Sequence, residues 1–138
     1  MKKILFNWGV FGAWVIALFA VLVSLYWSEV LGAEPCSLCW MQRVFLFPLV
    51  LLLGIALFRA DRHVTIDALP LALFGGGVAL YHVVAQRFDF SACGETNQCT
   101  QDIGIYFGWL TPPMLSVIAF LSICICLWWS RPKKTYQE

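Results

Sequence analysis

Residues 7–28 read NWGVFGAWVIALFAVLVSLYWS, from Asn7 to Ser28, and these 22 consecutive positions carry no charge. At 1.5 Å of rise per residue, a helix of that length crosses the roughly 30 Å hydrocarbon core of a bilayer. Working outward, the pattern recurs three times. Cys36 to Phe58 is interrupted only by Arg43, Ala68 to Gln86 is uncharged but carries His82, and Ile103 to Ser130 closes the set. Pro112 and Pro113 predict that the fourth helix starts there, because proline suits a first turn. Backbone polar groups cannot be left bare in lipid, so spans of this length should be helices. None shows the period-2 alternation of a barrel strand. The expectation is an all-α, four-helix integral membrane bundle, a single membrane domain over 1–138 with helices at roughly 8–28, 38–58, 66–86 and 112–130.

Composition supports this. Of the 138 residues, 61% are hydrophobic and 12% charged, against roughly 45–50% and 25% in soluble domains. Nine Lys/Arg against eight Asp/Glu give a net charge of +1 and no basic field. A soluble enzyme, a disordered tail and a nucleic-acid binder are thereby excluded. Trp8, Trp27, Trp40, Trp109, Trp128 and Trp129 stand at the proposed span ends, where interfacial tryptophans anchor. Gly75-Gly76-Gly77 predicts close helix approach in the third span, and Pro48 a kink in the second.

Basic residues set the expected orientation. Lys2, Lys3, Arg59, Arg62, Arg131, Lys133 and Lys134 fall on one side, Arg43 and Arg87 on the other. The positive-inside rule places both termini and the middle loop in the cytoplasm, leaving residues 29–39 and 87–108 outside. The first apolar run exceeds a signal-peptide core and lacks an A-x-A-like site, so it is expected to be a retained helix.

Six cysteines sort by position. Cys36 and Cys39 frame a C-x-x-C at the outer end of the second span, Cys93 and Cys99 bracket five residues of the second outer loop, and Cys124 and Cys126 lie within the fourth span. Two residues apart on a helix, the last two point about 200° from one another and read as small buried apolar side chains. The outer four face an oxidising compartment, where disulfides persist. Three uses compete for them: a structural framework, a tetrahedral zinc site, and redox exchange. Zinc would need all four thiolates reduced on the oxidising side, and no metal ligand set is expected. As a staple, a bond across so short a loop as Cys36–Cys39 restricts the unfolded chain little. As a redox centre it is well placed, because a helix N-terminus and a nearby cation both favour a thiolate, and Arg43 lies one turn beyond Cys39 on the same face.

A dithiol oxidised repeatedly needs an acceptor, and two dithiols in one membrane protein suggest a relay from a water-soluble partner to something in the lipid. No flavin, haem or nucleotide motif is visible, and Trp40 after Cys39 excludes C-x-x-C-H haem attachment. A membrane quinone, ubiquinone or menaquinone, fits both the location and the need.

The run Cys36-Ser37-Leu38-Cys39-Trp40-Met41-Gln42-Arg43 opening the second span, four spans, and a second outer cysteine pair resemble the DsbB family of disulfide bond formation proteins, in its short BdbC-type branch. Tyr81-His82 with Gln86 is similar to that family's third helix, while the Cys93–Cys99 interval is shorter than in its long enterobacterial members. The resemblance implies a thiol-disulfide oxidoreductase of the bacterial plasma membrane with redox disulfides Cys36–Cys39 and Cys93–Cys99. It implies a DsbA-like thioredoxin-fold partner that attacks Cys93, after which Cys99 attacks Cys36. Cys39 is then released as a thiolate facing the quinone and held by Arg43. His82 and Gln42 are further candidates for quinone contact. Two rival readings are a vitamin-K-epoxide-reductase-like quinone reductase and a structural or channel subunit with two stapled loops.

Overall fold

The computed structural model describes residues 2–30, 32, 36–61, 63–88 and 111–130. It contains four helices: α1 (Lys2–Glu29), α2 (Ser37–Arg59), α3 (Val64–Arg87) and α4 (Pro112–Trp129). Each is long and apolar enough to cross a membrane, and among the described residues there is no strand. The chain is an all-α, four-helix membrane bundle, as the uncharged runs predict. Neighbours in the chain are neighbours in space, and α4 packs back on α1 to close the ring. α1 starts earlier than expected, at Lys2 rather than near Trp8. Nothing between Lys3 and Trp8 breaks a helix, so the helix outruns the apolar stretch. α2 continues on both sides of Pro48, and Pro70 lies inside α3.

The helix ends follow local chemistry. Pro112 and Pro113 occupy the first turn of α4 behind Thr111, where a missing N–H costs nothing. α2 ends at Ala60, a left-handed residue with φ 52°. The Asp61 N–H returns 3.2 Å to the Ala56 carbonyl, which closes the last turn. The Asp61 carboxylate then accepts from the His63 N–H at 2.9 Å, leading into α3. A connection this short makes α2 and α3 antiparallel.

Inside the ring, buried residues recur every three or four positions: Val10, Ala13 and Ala17; Leu46, Leu49, Leu53 and Ala56; Phe120, Ile123 and Leu127. α3 contributes Ala68, Leu69, Ala72 and Ala79. Small residues on the inner faces let helices approach closely where lipid supplies no hydrophobic drive for association. The outer surface is as apolar as the interior, with Phe58 93% exposed and Phe19, Leu51, Leu73 and Trp129 also outward. In water such a surface would aggregate, and in lipid it is solvated. Trp8, Trp40, Trp128 and Trp129 are exposed near helix ends, while Trp109 lies outside the described residues. Cys124 and Cys126 are free and half-buried against the core.

The glycine triplet divides on inspection. A side chain at Gly75 would overlap the ring of Phe120, one at Gly76 would sit 3.4 Å from the Phe120 Cβ, and one at Gly77 would meet nothing within 4 Å. Phe120 is itself buried in the core. Gly75→Ala is therefore expected to destabilise the bundle by about 1–3 kcal/mol, the usual range for overpacking. Gly77→Ala is expected to be neutral or slightly stabilising. Thermal unfolding of the two variants in the same detergent distinguishes them.

Candidate functional site

Cys36 is the residue on which α2 begins: its backbone is extended (φ −69°, ψ 168°) and Ser37 is the first helical residue. Cys39, Gln42 and Arg43 follow at intervals of three and four, so one stripe of the first two turns carries all four side chains. His82, 46 residues on from Cys36, enters from α3. Cys36, Gln42, Arg43 and His82 are buried, and Cys39 is half-buried. Cys93 and Cys99 lie outside the described residues.

The two sulfurs are free thiols 3.2 Å apart and share a hydrogen bond. His82 bridges two partners: its Nε2 lies 3.7 Å from the Cys36 sulfur, and its Nδ1 lies 3.1 Å from the Gln42 side-chain nitrogen. Gln42 and His82, expected separately as quinone contacts, are thus bonded to one another, and the imidazole is turned onto Cys36. In the tautomer where the Gln42 amide donates to Nδ1, the imidazole proton is on Nε2 and faces sulfur.

Arg43 takes the opposite direction, toward α1. Its Nε donates to the Ser24 hydroxyl at 2.9 Å, and its Nη2 to the Ser24 carbonyl at 2.8 Å and the Ser28 hydroxyl at 2.9 Å. Its guanidinium carbon also lies 5.4 Å from the centre of the Trp40 ring, within cation–π range. A snorkelling arginine would keep its head in water; this one is 6% exposed. Ser24 and Ser28 escaped the sequence reading. Their signal was present: two hydroxyls four residues apart at one end of an otherwise apolar helix share a face.

Cys39 and His82 together act on Cys36. The hydrogen bond it receives from the Cys39 thiol, reinforced by His82 and opposed by burial, holds the Cys36 thiol down from an ordinary 9.0 to about 4. Position at a helix N-terminus works in the same direction. Between pH 4 and 9 the folded Cys36 therefore binds fewer protons than an unfolded one. The contribution of Cys36 to stability is fully present above its ordinary value and is lost as pH falls through about 4. The reduced protein is expected to retain a thiolate near neutral pH, read as ultraviolet absorbance that disappears with a midpoint near 4 and is missing from Cys36→Ser.

The arrangement can do two things chemically. A dithiol with its charge gathered on one sulfur can exchange with an incoming disulfide. Separately, the ligand atoms of Cys36, Cys39 and His82 all lie within 4.8 Å of one another, a spacing that suits a soft cation. Cysteine spacing alone does not reveal this second set, because His82 joins it from α3.

Comparison with known proteins finds disulfide formation proteins. The family model described as "Disulfide bond formation protein DsbB" matches residues 7–130. The chain is 41% identical over 119 residues to "Disulfide bond formation protein C" of Bacillus subtilis, covering 83% of this chain and 86% of the relative. It is 42% identical over 124 residues to "Probable disulfide formation protein C 1" of Bacillus anthracis, covering 87% and 89%. A "Probable disulfide formation protein" of Chlamydia trachomatis is 40% identical over 130 residues, covering 92% and 95%. No solved structure matches the chain.

Proposed function

The chain belongs to the DsbB family of disulfide bond formation proteins, and on that premise we propose that it re-oxidises a DsbA-like thiol oxidase outside the cytoplasm and passes the electrons to a membrane quinone. The observation that carries this reading is the Cys36–Cys39 dithiol at the start of a membrane-spanning helix, flanked by His82 on one sulfur and backed by a buried Arg43. The distribution of basic residues supports an outward position for that end of α2, where a water-soluble partner could reach it beside the lipid boundary.

In this cycle the reduced partner attacks Cys93, forming a mixed disulfide and releasing Cys99. Cys99 then attacks Cys36, breaking the Cys36–Cys39 bond and freeing the Cys39 sulfur. The partner's second thiol resolves the mixed disulfide, so one partner disulfide forms and two electrons remain in the protein. Exchange at each stage is displacement by a thiolate at a disulfide sulfur. His82 favours charge on Cys36 whenever that sulfur is reduced. Once Cys36 is tied to Cys99, Cys39 is the free sulfur of the pair, and Arg43 supplies positive charge that acts on it.

The site suits a quinone. An imidazole nitrogen lies within 4.8 Å of the Cys39 sulfur, the charge of the buried Arg43 acts on that sulfur, and the exposed rings of Trp40 and Tyr81 offer flat apolar surface at the same end of the bundle. Arg43 and His82 would hold the ring oxygens, with Gln42 fixing His82. The quinone supplies an acceptor of two electrons and two protons that remains dissolved in lipid. The test is anaerobic: purified protein, quinone and reduced partner are mixed and the quinone spectrum followed. Reduction of one quinone per partner disulfide formed is expected. Partner oxidation without quinone reduction would rule the reading out.

A further inference from the structure

We propose that the reduced Cys36–Cys39–His82 cluster is a binding site for a soft divalent cation, Zn²⁺ above all, and that only the dithiol form of the protein takes it. Three observations support it. First, one sulfur from the helix start, a second sulfur one turn on and an imidazole nitrogen from the neighbouring helix have their ligand atoms mutually within 4.8 Å. Second, the spacing is close to that of a tetrahedral centre. With Zn–S about 2.3 Å and Zn–N about 2.0–2.1 Å, the S···N and S···S edges come to about 3.6 and 3.8 Å. Cys36 and His82 already stand 3.7 Å apart, and the two sulfurs must open from 3.2 Å by about half an ångström. Third, the imidazole is held from behind. A metal-bound histidine donates its other N–H to a partner that fixes ring and tautomer, and Gln42 is 3.1 Å from Nδ1. Half a turn of that amide presents its oxygen to an Nδ1–H and leaves the Nε2 lone pair facing the sulfurs.

The charges also balance. Two thiolates and one Zn²⁺ are neutral together, which suits a buried site better than two anions do. Any thiol proton still present leaves to solvent on binding. Three protein ligands leave the fourth position for water or a further thiolate, as in zinc sites that remain open to exchange. In the disulfide form neither sulfur is a thiolate, so the cation has only His82. The site is therefore gated by the redox state of the pair.

The test uses full-length protein reduced anaerobically in detergent. Cys93 and Cys99 are replaced by serine, so that the loop pair cannot bind metal. One Zn²⁺ per chain is expected, and Co²⁺ in its place should give the visible bands of a tetrahedral thiolate site. His82→Ala should weaken binding at least tenfold, and the oxidised protein should bind none. Because these variants could lose fold, alkylation provides a second reading on the parent: Zn²⁺ should protect Cys36 and Cys39 together, mapped by mass spectrometry. Equal binding by oxidised and reduced protein, equal binding by a folded His82→Ala, or protection confined to Cys124 and Cys126 would each overturn the proposal. All of these are metal readouts, so they stand or fail apart from quinone reduction.

Discussion

Cys39→Ser is expected to stop quinone reduction by the reduced partner, on the order of a thousandfold or more, while leaving one round of partner oxidation intact. Without Cys39 the bundle has no Cys36–Cys39 disulfide to receive electrons. In the proposed cycle a Cys93–Cys99 disulfide would remain, so a reduced partner should be oxidised once, reducing that loop pair, and the reaction should then halt for lack of an outlet. Such a result is a stoichiometry, one disulfide per chain, as well as a rate. The competing structural reading makes a different prediction from the same substitution. As a staple, the four-residue loop closed by Cys36 and Cys39 contributes about 2 kcal/mol in the loop-entropy model, against about 3 for a 15-residue loop. Losing it would lower the yield of folded protein and leave the activity of each folded molecule unchanged. A thousandfold loss per folded molecule corresponds to about 4 kcal/mol of barrier. The measurement is partner oxidation and quinone reduction by the variant, normalised to folded protein, and continued turnover by Cys39→Ser would refute the redox role.

What the sequence displays and what it hides divide along physical lines. Four spans were legible because the bilayer enforces a length and the absence of charge, so a run such as 7–28 has few alternatives. The true start of α1 at Lys2 was not legible, because hydropathy reports where lipid begins and not where the backbone stops being helical. Arg43 stood out as a charge inside an apolar run. Its use as a clamp on Ser24 and Ser28 did not, since that needs α1 and α2 to be neighbours. Gln42 and His82 were singled out separately, but their mutual bond and the turn of the imidazole onto Cys36 are tertiary facts. The same distinction applies to the glycine triplet: three residues read alike, and only the packing of Phe120 against Gly75 separates them. Local chemistry is written in spacing; pairing across helices appears only when the ring of four is closed.

Arg43→Met is expected to lower the quinone-dependent rate 10- to 100-fold, about 1.4–2.7 kcal/mol, and to loosen α1 from α2 as well. Both effects arise because this guanidinium is bonded to α1 while its charge also acts on Cys39. Toward α1 it makes three hydrogen bonds, to the Ser24 hydroxyl, the Ser24 carbonyl and the Ser28 hydroxyl. Interhelical side-chain bonds in membranes average about 0.6 kcal/mol and reach about 1.7, so the clamp is worth a few kcal/mol at most. At the dithiol the guanidinium contributes only charge, which a methionine of similar length cannot replace. The double substitution Ser24→Ala and Ser28→Ala separates these contributions, because it removes two acceptors and keeps the cation. If Arg43 served only to hold two helices together, that double variant and Arg43→Met would lose stability and rate in proportion. If its charge acts at the redox site, the serine variant should keep most of the rate at a reduced melting temperature, and Arg43→Met alone should raise the KM for quinone. Arg43→Lys should fall between them. An ammonium restores a point charge, but it lacks the planar fork that spans a carbonyl and two hydroxyls at once, so it should recover rate more fully than stability. A lysine variant as inactive as the methionine would show that geometry, and not charge, is what the site requires of this residue.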